Sequence, residues 1–162
     1  MWYAGSFRRP ALMGELEQMF LGHYDHNIDD KGRLTIPARF RELLAAGAYI
    51  TLGLDGNLIV MTASLFEQLS TEFKKMSMMD PATRSLSRLF FSYAQQLETD
   101  RVGRILIPQF LRQKAGLESN AVVSGVGDYF EIWEPSLWAK QDELLEDPAV
   151  TTQRFAALNL TA

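Results

Sequence analysis

Short runs in which apolar and polar residues alternate recur along this chain. Alternation with a period of two is typical of half-buried β-strands, and β-branched and aromatic residues are frequent in these runs. The first half of the chain contains four of them, at His23 to Ile28, Arg33 to Ile36, Tyr49 to Leu52 and Leu58 to Met61. The pattern predicts a fold built on many short strands.

Helical signals lie between these runs. Pro37 and Pro108 each follow a strand and precede an apolar-rich segment, which favours a short helix with proline at its first position. Ser64-Leu65-Phe66-Glu67 has the sequence of a capping box, which predicts a helix that extends to about Lys75. Further helices are predicted from Asp80-Pro81, from about Ser136 to Glu146, and within the apolar tail Thr151 to Ala162.

One pattern occurs twice in the chain. Asp29-Asp30-Lys31-Gly32-Arg33-Leu34-Thr35-Ile36-Pro37 matches Asp100-Arg101-Val102-Gly103-Arg104-Ile105-Leu106-Ile107-Pro108 at a fixed offset of 71 residues. With one inserted residue the match continues to Gly53-Leu54 against Gly125-Val126, and to Ser64-Leu65-Phe66 against Ser136-Leu137-Trp138. Matches that keep the same order indicate a duplication.

The duplication divides the chain into four parts. Residues 19–90 form the first repeat and residues 91–146 the second, with residues 1–18 as an extension that we expect to be disordered and residues 147–162 as a C-terminal tail. Neither repeat has enough strand to close a sheet alone. We therefore predict one α+β domain in which two intertwined halves form a small β-barrel with pseudo-two-fold symmetry and peripheral helices.

Composition removes several classes of protein. The 162 residues include no cysteine, which excludes disulfide scaffolds, thiolate zinc sites and iron–sulfur clusters. No apolar run approaches the roughly 20 residues that a membrane helix needs, and no secretory signal is recognisable. These features predict a cytoplasmic protein without a membrane partner.

Charge is distributed unevenly. The net charge of −4 argues weakly against a nucleic-acid partner, but residues 31–114 hold twelve Lys and Arg against seven Asp and Glu. Residues 115–162 hold two basic and eight acidic residues. Because binding follows local potential rather than total charge, the basic middle segment remains compatible with nucleic acid.

Catalytic and metal-binding chemistry is hard to find in this sequence. His23 and His26 lie three positions apart on a predicted strand, where they would face opposite sides and not converge on one ion. There is no nucleophile elbow or Walker loop, and Gly125-Val126-Gly127 has the character of a hairpin. We predict that the protein is no enzyme and uses no metal or other cofactor. Two apolar groups are predicted to be core or subunit contacts, namely Met76, Met78 and Met79, and Phe90-Phe91.

The duplicated Asp-x-x-x-Arg turn remains as the candidate site. Its aspartate can accept a hydrogen bond from the arginine four residues later and hold the guanidinium in a fixed orientation, suited to guanine or phosphate. Alternatively, the ion pair between aspartate and arginine only stabilises the loop in which it lies. The surplus of basic side chains favours a nucleic-acid-binding face formed by Lys31, Arg33, Arg39, Arg41, Arg101, Arg104 and Arg112. The residues that would orient it are Asp29, Gly32, Asp100 and Gly103.

These motifs resemble the MraZ family. The resemblance rests on the start Met19-Phe20-Leu21-Gly22, on both Asp-x-x-x-Arg turns with Gly-Arg-[Leu/Ile]-x-Ile-Pro, and on the Gly-Leu-Asp-Gly and Gly-Val-Gly-Asp hairpins. It covers about residues 19–150 and implies a duplicated AbrB-like swapped-hairpin β-barrel. By position, the family's motif residues fall on Asp29, Arg33, Asp100 and Arg104.

The resemblance also implies a function. MraZ proteins are transcriptional regulators that bind short direct repeats in the promoter of their own division and cell-wall gene cluster, at the nucleoid. The resemblance further implies that identical subunits assemble into a ring-shaped homo-oligomer and that its partner is double-stranded promoter DNA. The alternative hypothesis is an oligomeric protein-interaction module, an antitoxin-like barrel, without specific DNA binding.

Overall fold

The computed structural model describes residue 14, residues 16–156 and residue 158. The prediction of disorder for residues 1–18 therefore falls largely outside the described residues, as does the end of the tail. The strands are β1 (His23–Asn27), β2 (Arg33–Thr35), β3 (Ala48–Leu52), β4 (Leu58–Thr62), β5 (Gln95–Leu97), β6 (Arg104–Leu106), β7 (Asn120–Gly125) and β8 (Tyr129–Trp133). The helices beyond residue 20 are α1 (Ala38–Leu43), α2 (Ala63–Lys75), α3 (Pro81–Ser92), α4 (Gln109–Ala115), α5 (Pro135–Glu146) and α6 (Pro148–Ala156).

Six strands form one antiparallel sheet in the order β1-β7-β8-β4-β3-β5. In the duplication, β5, β7 and β8 are the counterparts of β1, β3 and β4. If each strand is replaced by its counterpart, the same strand order results, read from the opposite edge of the sheet. β1 of the first half pairs with β7 of the second, and β5 of the second half pairs with β3 of the first. Each half thus supplies the neighbour that a strand of the other half needs.

β2 and β6 form a separate two-stranded antiparallel ribbon. Leu34 lies opposite Ile105, its own counterpart in the duplication. Single bridges, Ile28 to Leu34 and Thr99 to Ile105, link the ribbon to the segments that follow β1 and β5. No closed barrel is found among the described residues, because single bridges rather than continuous ladders link the sheet to a ribbon whose two strands are three residues long. The swapped-hairpin arrangement stays a prediction.

The inner face of the ribbon belongs to the hydrophobic core. Leu34, Ile36, Ile105 and Ile107 are almost fully buried and lie in one cluster with the apolar residues of the sheet. Alternation along a strand sends the residues between them to the opposite face. Since burial of each such side chain contributes about 1.5–3 kcal/mol, the core holds the ribbon in place with its outer face toward solvent.

Three predicted helix starts need correction. Pro37 and Pro108 are N-cap residues rather than the first residues of α1 and α4, because their ψ angles of 142° and 143° are extended. The N-cap of α2 is Thr62, whose hydroxyl accepts the N–H of Leu65, and not the predicted Ser64. Thr62 is also the last residue of β4, so the strand leads directly into the helix.

The aromatic residues of α2 and α3 pack on β3. The rings of Phe66 and Tyr49 stack at 4.1 Å between centroids, and Phe66 also contacts Phe90 and Phe91. At the connection between the two helices, by contrast, Met79 is 86% exposed. The tail contains the predicted helix as α6, and no helix in the described part of the chain is long and apolar enough to cross a membrane.

Candidate nucleic-acid interface

The first turn is organised by the two carboxylate oxygens of Asp29. Its Oδ1 accepts the backbone N–H groups of Lys31 and Arg33 at 3.0 and 2.8 Å, and its Oδ2 accepts Nε of Arg33 at 2.6 Å. Gly32 completes the turn with a φ of +83°, a conformation that favours glycine. One oxygen therefore builds the turn, and the other holds the guanidinium.

The second turn repeats this geometry. Oδ1 of Asp100 accepts the N–H groups of Val102 and Arg104 at 3.0 and 2.9 Å, and Oδ2 accepts Nε of Arg104 at 2.8 Å. Gly103 has a φ of +81°. The structure thus contains, in both halves, the hydrogen bond from arginine to aspartate that the spacing predicts.

Both aspartates are stabilised in their ionised form. The backbone N–H of Arg33 is the main cause that lowers the pKa of Asp29, against a smaller opposing effect of desolvation, and the Arg33 side chain and the N–H of Lys31 lower it further. The N–H of Arg104 has the same main effect on the pKa of Asp100. The two carboxylates therefore remain charged partners for their arginines at neutral pH.

The ribbon brings the two arginines together. Arg33 lies opposite Leu106 and Arg104 opposite Thr35, so these four residues share the outer face while Leu34 and Ile105 between them face the core. The two side chains of the arginines are about one-third exposed. Nε of each arginine donates the hydrogen bond to its aspartate, and among the described residues the two terminal nitrogens of Arg33 have no recorded hydrogen-bond partner.

One ion pair joins the two halves of the ribbon. Nη1 of Arg104 lies 3.8 Å from Oδ2 of Asp29, the same oxygen that binds Arg33. Asp29 thus contacts both guanidinium groups, whereas Asp100 is paired with Arg104. The two motifs share the pattern Asp-x-x-Gly-Arg but differ in the number of arginines that their aspartate contacts.

Three of the predicted basic residues lie at the margins of this face. Lys31 and Arg101 are both exposed, one in each turn. The two turns lie at opposite ends of the ribbon. The carbonyl of Gly32 accepts the N–H of Ile107 at one end, and the carbonyl of Gly103 accepts the N–H of Ile36 at the other. Arg39 is exposed on α1 and donates to the backbone carbonyls of residues 16 and 17.

The remaining two predicted residues, Arg41 and Arg112, pack between the halves instead of extending from the surface. A Cβ added at Gly32 would stand 2.6 Å from Cζ of Arg112, and one added at Gly103 would collide with the guanidinium of Arg41. Nε of Arg112 also donates to the carbonyl of Ile107 at 3.0 Å. Both side chains are half-buried, so their geometry suits support of the turns better than contact with a ligand.

The two histidines have separate surroundings. The His23 ring packs against the Trp138 ring, with 5.4 Å between centroids. Burial lowers the pKa of His26, and the charge of Asp25 partly offsets this effect. The buried Nε2 of His26 has no hydrogen-bond partner among the described residues. In the described part of the chain no three His, Cys, Asp or Glu side chains group in a way that could hold a metal ion.

Sequence reasoning missed Thr35 and Leu106 on the outer face of the ribbon. The signal that could have found them is the alternation itself, since Arg33 and Thr35, and likewise Arg104 and Leu106, lie two residues apart on a strand. Neither residue carries a charge, so the excess of basic side chains does not mark them.

The family of this chain is apparent from its sequence matches. A family model described as "MraZ protein, putative antitoxin-like" matches twice in tandem, at residues 19–89 and 90–158. The chain belongs to the MraZ family. Both motif turns lie within these matches, one in each copy.

Relatives within the MraZ family are similar over most of their length. A protein of Thermomicrobium roseum named transcriptional regulator MraZ is 46% identical over 142 residues, which is 86% of this chain and 99% of the relative. Proteins with the same name from Roseiflexus castenholzii and Desulfitobacterium hafniense are 48% and 43% identical, over 74% and 80% of this chain and 84% and 90% of theirs.

Proposed function

We propose that this chain is a sequence-specific DNA-binding transcription regulator that acts on direct repeats in the promoter of its own division and cell-wall gene cluster. It would work in the cytoplasm at the nucleoid, as a homo-oligomer and without catalysis or cofactor. Membership of the MraZ family and the name transcriptional regulator carried by its relatives support the general role.

The observation that carries the proposal is the ribbon of β2 and β6 with its two oriented arginines. The major groove of B-DNA is about 12 Å wide and admits a two-stranded β-ribbon. An arginine held through Nε can direct its forked end to O6 and N7 of guanine, and this bidentate contact distinguishes guanine from the other bases by about 1–3 kcal/mol. We assign this contact to Arg33, with Arg104 beside it on the same face, where its Nη1 is paired with Asp29, and we assign phosphate contacts to Lys31 and Arg101 in the flanking turns.

A ribbon with two arginines is too small for tight binding alone. A ring of identical subunits presents the same ribbon repeatedly, and simultaneous contacts multiply weak affinities. Subunits in a head-to-tail ring meet the DNA in the same orientation, which corresponds to direct repeats, whereas an isologous dimer corresponds to a palindrome. The proposed oligomer therefore explains the proposed operator.

The test is a gel-shift titration on the DNA upstream of the protein's own gene, with scrambled DNA as competitor. Wild type should give a shift that survives the competitor, and Arg33→Ala should abolish it while the oligomer remains intact by light scattering. Arg88→Ala, which removes an exposed positive charge from α3, is the matched control and should bind like wild type. The affinity should fall steeply with salt, because phosphate contacts release counterions.

The competing function is the antitoxin-like interaction module, which the description of the family model favours. It predicts that intact wild-type oligomer shows no specific shift at low or moderate salt. Normal operator binding by Arg33→Ala would leave a DNA-binding function but would move its site away from the ribbon.

A further inference from the structure

The outer face of the ribbon contains one large apolar side chain. Leu106 is 54% exposed, although it lies between two buried isoleucines, Ile105 and Ile107. An exposed leucine on a strand of only three residues contributes little to the core, and its position opposite Arg33 places it beside the guanidinium that the proposed function directs to a base.

Leu106 also makes the two ends of the ribbon different. In the duplication its counterpart is Thr35, which lies opposite Arg104 as Leu106 lies opposite Arg33. A ribbon with identical ends would bind its site equally well in either orientation. With leucine at one end and threonine at the other, the face distinguishes one direction along DNA from the reverse, and a direct repeat requires this distinction.

We infer that Leu106 is a specificity-determining residue that contacts the C5-methyl group of a thymine next to the guanine bound by Arg33. This inference rests on the proposed function. In the major groove, the thymine methyl is the one apolar group that distinguishes a base pair, and it is recognised by apolar contact. Leu106 is the exposed aliphatic side chain nearest in register to Arg33, so the two residues together read a guanine and an adjacent thymine.

The energetic consequence is measurable. Removal of one methyl group from water changes a binding constant by about fourfold. Each subunit that engages a repeat contributes such a contact, so DNA that spans several repeats should show a larger effect than a single repeat.

The experiment compares two forms of the same upstream DNA, one prepared with thymidine and the other with deoxyuridine throughout. Deoxyuridine lacks only the C5-methyl and leaves Watson–Crick pairing unchanged. Each form is titrated with wild type, Leu106→Ala and Leu106→Asn, where asparagine keeps the size of the side chain but not its apolar character. The matched control is Leu54→Ala, since Leu54 is 74% exposed in the hairpin between β3 and β4, away from the ribbon.

Wild type and Leu54→Ala should prefer thymidine DNA by about fourfold or more. Leu106→Ala and Leu106→Asn should bind thymidine DNA more weakly and lose most of the preference, so that the effects of the protein and DNA changes are not additive. A preference that persists in both Leu106 variants overturns the inference, as does wild-type binding that is indifferent to the methyl group. Failure of wild type to bind thymidine DNA specifically is a distinct result, which contradicts the proposed function itself.

Discussion

The guanidinium of Arg112, on α4 of the second half, lies against Gly32 in the turn of the first half. A Cβ at Gly32 would stand 2.6 Å from its Cζ, 2.7 Å from its Nε and 2.9 Å from one of its terminal nitrogens. The equivalent pair, Arg41 and Gly103, repeats the relationship in the opposite direction. Each half of the duplication therefore supports the motif turn of the other, and a substitution in one half should be felt in the partner half.

Gly32→Ala should destabilise the protein more than a comparable substitution without an arginine neighbour. Gly127→Ala is the matched control, because Gly127 has a φ of +91° and nothing within 4 Å of an added Cβ. Both changes place alanine in a left-handed conformation at a cost of about 1–2 kcal/mol. Gly32→Ala must in addition displace the guanidinium of Arg112, which then loses its contact with the turn. Urea denaturation of both variants measures the difference.

The contact itself is isolated by a double-mutant cycle of Gly32→Ala and Arg112→Ala. Once Arg112 is removed, Gly32→Ala should cost no more than Gly127→Ala, which gives a coupling of about 1 kcal/mol. Additive effects would show that the guanidinium adapts to the new methyl without loss. In that case Arg112 would be free to serve as the DNA-contacting residue that the sequence predicts.

Asp29→Asn should weaken DNA binding more than Asp100→Asn. In either turn the asparagine keeps Oδ1 to accept the two backbone N–H groups but replaces Oδ2, which binds the guanidinium. Oδ2 of Asp29 contacts both Arg33 and Arg104, while Asp100 orients Arg104 alone. Gel-shift titrations of the two variants make the comparison. Equal losses would mean that the contact between Arg104 and Asp29 does not position the arginine for DNA.

Stability should decline in acid, partly through these same aspartates. The pKa of each lies below its unfolded value, so its contribution is present above the unfolded pKa of about 3.9 and is lost as pH falls through the folded pKa. The double variant Asp29→Asn/Asp100→Asn lacks both titrating groups and should lose less stability between about pH 5 and pH 3. The urea midpoint at several pH values tests this, and parallel curves for the variant and wild type would contradict it.

Local chemistry could be predicted well from the sequence. The turn at Asp29 and its duplicate depend on residues at most four positions apart, and their hydrogen bonds follow from the preference of aspartate for nearby backbone N–H groups and of glycine for positive φ. Strand positions likewise follow from alternation. The N-cap of α2 at Thr62 was missed because the strand and the helix are contiguous, with no intervening loop to separate their signals.

Relationships between the halves could not be predicted in detail. An offset of 71 residues identifies Arg41 and Arg112 as equivalents, but it does not reveal whether each lies over its own turn or over the turn of the other half. That choice depends on how α1 and α4 pack after the ribbon has paired, which is a tertiary effect. The contribution of Leu106 was missed for a related reason, since its exposure becomes apparent only when the other face of the ribbon is known to be buried.

Glu131 should make the protein less stable as pH rises from about 4 to 7. Its carboxylate accepts from the side chains of Asn57 and Trp133, but burial is the main effect on its pKa and raises it, so folding favours the protonated form. A raised carboxyl pKa contributes stability below the unfolded pKa that is lost as pH rises through the folded pKa. Glu131→Gln cannot ionise, although its amide nitrogen replaces one acceptor. Its free energy of unfolding, measured in urea at pH 4.5 and pH 7, should therefore decrease less over this interval than that of wild type, and an equal decrease would show that Glu131 titrates normally in the fold.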